Sequence, residues 1–173
     1  MKREKQFGLV LWLLLIFAGM TGTVSATERV AAATGSSVSV LMNKKGQEKR
    51  FVKIRDAALS SSAKAAATQA KRQSGDLQHA GEVYYKNGVV SESNRYITTG
   101  RIVVRFAHAT QIDLEAFASK HGLLLEKRMD KKGSLAVFVN TSSQNDISQS
   151  NALLKEQAVV FSQPDWVLPL KLY

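Results

Sequence analysis

From residue 100 onward the spacing of apolar positions switches repeatedly between two and about 3.6 residues, the periods of strand and helix. Residues 101–106 alternate, with Ile102, Val104 and Phe106 on one side and Arg101, Val103 and Arg105 on the other, and predict a strand. Leu114, Phe117, Ala118 and His121 then share one helical face. Thr110 can cap that helix with Asp113 three residues on, and Gly122 suits the left-handed position that closes it. Residues 123–129 predict a second strand, 130–133 a turn, and 135–139 a third strand antiparallel to the second. A second helix from 146 to about 157 buries Ile147 and Leu154. Residues 159–161 form a fourth strand, and Pro164 is expected to stop its pairing.

The order strand, helix, strand, strand, helix, strand predicts an α+β, ferredoxin-like βαββαβ module over residues 100–166. Its four-stranded antiparallel sheet carries both helices on one face. The preceding 27–99 reads as an extension rich in β-hairpins. Residues 38–41 and 51–54 flank a turn around Gly46, and Asn87-Gly88 fits the two left-handed positions of a tight turn between the apolar stretches 82–85 and 89–92. Residues 60–74 are rich in Ala, Ser, Gln and Lys without a large apolar stripe, and predict a flexible linker.

Lys2, Arg3 and Lys5 precede an apolar run over 7–20, followed by Val24-Ser25-Ala26, the pattern of a secretory signal peptide over 1–26. No second stretch approaches membrane-spanning length, so the mature chain is expected in the periplasm or outside the cell, without a membrane span. The chain of 173 residues carries net +10 and no cysteine, which excludes disulfides, thiolate metal sites and thiol catalysis. Residues 27–99 hold twelve bases and six acids, net +6, and 100–173 nine and seven, net +2. The basic excess therefore lies in the extension, with no nucleic-acid recognition motif beside it, so no nucleic-acid partner is expected.

Catalytic chemistry finds little support. His79, His108 and His121 are not spaced for metal binding, no Gly-x-Ser-x-Gly elbow occurs, and Asp113 and Glu115 suit the first turn of a helix. The sequence predicts neither an enzyme nor a cofactor.

Two features point to a protein partner instead. If Ile102, Val104, Leu125, Val137 and Val159 face the helices, the opposite parity still offers Val103, Leu124, Ala136, Phe138 and Val160, an unusually apolar outer sheet face. Either a partner covers that face, or the N-terminal hairpins fold over it. Beyond the last strand, Pro164 and Pro169 hold the chain extended, while Trp166, Leu168, Leu170, Leu172 and Tyr173 alternate loosely. The tail over 167–173 suits insertion along another protein's edge or cleft.

Residues 100–106 (GRIVVRF), the helix ending Lys120-His121-Gly122, and residues 123–128, 133–140 and 158–166 (AVVFSQPDW) resemble the prodomain of subtilisin-like serine proteases, over about 98–168. The most specific element is the last strand followed by Pro164-Asp165-Trp166. The resemblance implies a chaperone and inhibitor that rests its sheet on the protease and lays its C-terminal segment in the substrate cleft. Leu168, Leu170, Lys171, Leu172 and Tyr173 would then enter the cleft. The family's catalytic patterns are absent, so the chain is expected to act in trans, as a stand-alone partner of a secreted protease in a heterodimer. A periplasmic adaptor touching anionic envelope lipid, or the remnant of a truncated protease gene, are the alternatives.

Overall fold

The computed structural model of the chain describes residues 37–107 and 112–168. They form an α+β structure of seven strands in one antiparallel sheet and three α-helices. The strands are β1 (Ser37–Met42), β2 (Glu48–Lys53), β3 (Ala80–Lys86), β4 (Arg95–Phe106), β5 (Leu123–Arg128), β6 (Leu135–Asn140) and β7 (Val159–Val167). The helices are α1 (Ser61–Gln73), α2 (Leu114–Lys120) and α3 (Asp146–Leu153).

β4, twelve residues long, joins the two halves of the molecule. Its first half pairs with β3 (Tyr84↔Tyr96, Val83↔Ile97) and its second with β6 (Ile102↔Phe138, Val104↔Ala136). β7 pairs along both halves, from Ile97↔Val167 to Phe106↔Val159. β1 and β2 continue the sheet beyond β3, and β5 beyond β6. The C-terminal strands therefore lie in the order β7-β4-β6-β5, all neighbours antiparallel.

The predicted strands and helices of residues 101–161 occur close to their expected places. Asp113 is the residue that caps α2, its side chain accepting from the Ala116 N–H at 3.0 Å, and Gly122 takes the left-handed conformation behind it. Thr110, like His108, lies outside the described residues, as do the signal segment and residues 169–173. β7 departs from expectation. It runs through Pro164, which sits opposite Ile102, and ends at Val167. β7 pairs only with β4, so a proline can sit on it without removing a donor from an inner ladder.

The linker expected over 60–74 is instead a helix. Ser60 caps it, its hydroxyl accepting from the Ala63 N–H, and the Lys71 and Arg72 carbonyls accept the N–H groups of Asp76 and Gly75 in a Schellman closure. Its buried stripe consists of small residues, Ala63 and Ala70 with Ala66 and Ala67 between them, packed on Val52, Val83 and Ile97. Small side chains let the helix approach β3 closely. At Gly81, φ is +83° and an added Cβ would lie 3.0 Å from the Ala67 carbonyl oxygen.

The second hairpin also differs. Asn87 and Gly88 do have positive φ, and the Val89 N–H donates to the Lys86 carbonyl across them. The chain does not pair back at once: Val89 and Val90 are exposed, and β4 begins only at Arg95.

The helix-covered face of the C-terminal strands holds one core. Ile102, Val104 and Phe106 of β4 meet Ala136 and Phe138 of β6, Leu123, Val159, Leu114 and Ala118 of α2, and Leu153 of α3. This corrects the parity expected for β6. Ala136 and Phe138, expected outside, are fully buried, and Val137 turns to the opposite face, because β6 pairs Phe138 with Ile102. The same face of the N-terminal strands carries an aromatic cluster. Trp166 stacks on Phe51 at 5.4 Å between ring centroids and meets Tyr84 and Tyr96 edge-on, with Leu41 and Ile147 around them.

Candidate protein-docking face

The face of the C-terminal strands turned away from α2 and α3 is built from three cross-strand rows. Pairings place Leu124, Val139 and Arg101 in the first, Lys127, Val137, Val103 and Gln163 in the second, and Leu135, Arg105 and Phe161 in the third. Met129 adjoins Leu135, to whose carbonyl its N–H donates at 2.8 Å. Leu124 is 61% exposed, Met129 51% and Phe161 37%. Only seven large hydrophobic residues are exposed among those described, and three of them lie on this face. A sheet face of this kind normally carries polar side chains, so its apolar content asks for a cover.

The chain's first half covers the face in part. Ile97 has the same parity as Val103 and lies under α1, so the helix roofs the first half of β4. Its last residue, Gln73, then lines one shallow depression with Arg101, Val103, Glu126, Val137 and Asp165. β1, β2 and β3 continue the sheet beyond β4, and the β1–β2 turn reaches the border of the open half, where Asn43, Lys44 and Gln47 line a cleft with Phe161 and Gln163.

Charges on the face are partly spent internally. A break in the β5–β6 register between Leu125 and Lys127 frees Glu126 to reach across to Arg101, Oε2 accepting from Nε at 2.6 Å and Oε1 from Nη2 at 3.0 Å. Those bonds hold the Glu126 carboxyl below its usual range and raise the guanidinium pKa further. Asp165 accepts from the Thr99 hydroxyl at 3.0 Å.

Of the residues expected to form the face, Val103 and Leu124 are on it. Ala136 and Phe138 are in the core, as described above. Val160 is exposed, in the irregular pairing between Arg105 and Phe106, and lines a cleft at the border of the face with Leu41, Met42, Leu154 and Phe161. Sequence reasoning missed Val137, Val139, Met129 and Phe161. The signal that could have found the first two is register: Val137 opposite Val103 follows once Phe138 pairs Ile102. Of the expected cleft-inserting tail only Leu168 is described, and it is exposed. Leu170, Lys171, Leu172 and Tyr173 lie outside the described residues. Trp166 is not available for insertion, being fixed in the aromatic cluster.

The other concentration of titratable groups is buried where β3, β4, β6 and α3 meet. Asn140 donates through Nδ2 to Asp146 Oδ1 at 2.8 Å and to the Gln144 carbonyl at 2.9 Å, while its Oδ1 accepts from the Ser142 hydroxyl and N–H. His79 Nε2 lies 2.9 Å from the Ser142 carbonyl. Burial pushes the Asp146 carboxyl up to about 6; Glu82 adds to the rise, while the Asn140 bond, the His79 ring and the Gly100 N–H oppose it. Tyr84 donates to Glu82 at 2.8 Å, and burial raises its pKa strongly. These residues fasten the halves together and are closed to a substrate, since His79 and Asp146 are both buried. No cluster of metal-ligating residues occurs among those described. Elsewhere, His121 lies against the Phe117 ring at 4.6 Å, and burial lowers its pKa.

No helix among the described residues is long and apolar enough to cross a membrane. No family model, curated protein or solved structure matches the chain significantly.

Proposed function

We propose that the chain is a secreted, stand-alone chaperone and inhibitor of a subtilisin-like serine protease, a binding protein and not a catalyst. The observation that carries the reading is the open, apolar half-face around Val103, Leu124 and Phe161, borne by the strands in the order β7-β4-β6-β5. That order, with α2 and α3 sharing one core, is what a ferredoxin-like module requires. The sequence resemblance to subtilisin prodomains runs over the same strands. The partner rests on the open half-face and holds its own slow-forming elements together there, lowering the folding barrier of the protease. In this reading the tail that follows Val167 occupies the substrate cleft; Val167 itself lies opposite Ile97, at the end of β4 that α1 covers. A partner acting in trans lacks the roughly millimolar effective concentration of a linked one, and α1, beside the depression at Gln73, supplies additional contact area.

The test is refolding of a denatured subtilisin-like protease from the source organism with the mature chain, its Leu124→Asp variant, and a version ending at Val167. The intact chain raises the yield of active protease and slows its cleavage of a peptide. The shortened chain keeps the first effect and loses the second, and Leu124→Asp loses both. An intact chain that does neither contradicts the reading. A chain that binds vesicles of anionic lipid through its basic first half, but no protease, supports the envelope adaptor instead.

A further inference from the structure

The open face is not uniformly apolar, and the distribution of its charges is specific. Its acids are engaged: Glu126 by Arg101, and Asp165 by Thr99 at the border with α1. Its remaining cations are not. Arg105 and Lys127 make no ion pair within 4 Å among the described residues. In the β5–β6 turn next to Met129, Lys131 and Lys132 are exposed. The acid of that turn, Asp130, is committed inward, accepting from the Ser134 N–H at 2.7 Å and from the Ser134 hydroxyl. One end of the face therefore presents Leu135 and Phe161 with Arg105 between them, Met129 beside Leu135, Lys127 in the adjoining row, and exposed Lys131 and Lys132 in the neighbouring turn. At the other end Leu124 and Val139 adjoin the neutralised Arg101.

We infer that this cationic end selects its partner: it docks an acidic protein surface whose carboxylates meet Arg105 and Lys127 and whose apolar side chains meet Met129 and Phe161. The inference rests on the protease reading and adds to it the chemistry of the protease surface involved. Solvated cations beside apolar residues contribute little to final affinity, but they steer encounter and reject surfaces of like charge. Their effect falls with ionic strength, since the screening length is about 8 Å at 0.15 M salt.

The experiment measures association rates of the full chain with a subtilisin-like protease of the source organism whose nucleophilic serine is replaced by alanine, between about 20 and 500 mM NaCl. Three forms are compared: the natural chain, the double variant Arg105→Glu with Lys127→Glu, and a control of equal charge change, Lys120→Glu with Lys155→Glu, at the C-terminal ends of α2 and α3 on the helix-covered side of the sheet. The natural chain slows by about tenfold or more across the salt range. The double variant is slower by about tenfold at low salt, with a flattened salt dependence, while the control stays within about twofold. Binding that persists with no salt dependence, or with equal effects in both variants, overturns this inference and leaves the protease reading intact. A natural chain that does not bind at any salt concentration overturns both.

Discussion

The two faces of β4 differ in how they are buried. On one, Ile102, Val104 and Phe106 are sealed by α2 and α3. On the other, Ile97 is sealed under α1, but Val103, six residues later at the same parity, is only partly covered and flanked by exposed Leu124 and Phe161. Sequence chemistry is similar at the two positions. What differs is whether the chain supplies a cover, and α1 ends where the open half begins. A strand that is apolar on both faces marks a place where something must pack, without stating whether it belongs to the same chain.

The largest effect is expected on the sealed side. Phe138→Ala opens a cavity between Phe106 and Phe117 and should lower unfolding stability by about 3–5 kcal/mol in denaturant titration. Next is the buried junction. Because burial raises the Asp146 pKa to about 6 from 3.8, the carboxyl is neutral and harmless in the fold below pH 4. As pH rises through 6 the folded protein must hold a buried charge, and stability is lost. Asp146→Asn should therefore stabilise by about 2–3 kcal/mol at pH 7–8 and by almost nothing near pH 4. Melting curves of both proteins at the two pH values decide it, and an equal shift at both would refute the assigned cause. A smaller change is expected at Gly81. Its left-handed φ and the nearby Ala67 carbonyl predict a loss of about 1–2 kcal/mol for Gly81→Ala, with α1 loosened from β3 in hydrogen exchange. The smallest effect on folding falls on the open side. Leu124→Ser should change stability by less than about 0.5 kcal/mol while weakening protease binding, the reverse of what a sealed residue does.

Much of this architecture was legible because the turn chemistry agreed with the periodicity. Gly122 and the turn at residues 130–133 place the ends of α2, β5 and β6 without tertiary information. Three failures share one cause, local ambiguity resolved only by neighbours. The buried stripe of α1 is alanine, too weakly apolar to register as amphipathic, yet it docks because Gly81 leaves room. β6 is apolar at both parities over 135–139, so only its pairing with β4 decides that Phe138 goes inward. Pro164 argued for a strand end, and the edge position of β7 removes the objection. The candidate face was accordingly half legible: Val103 and Leu124 follow from alternation in their own strands, whereas Val137, Val139 and Phe161 need the register.

Oxidative footprinting of Met129, Leu124 and Phe161, with Val89 and Val90 as exposed references, tests the docking face most directly. With a silenced subtilisin-like protease present, the first three should be protected while Val89 and Val90 oxidise as in the free chain. Unchanged oxidation at Met129 and Phe161 in a complex that has demonstrably formed would contradict the account.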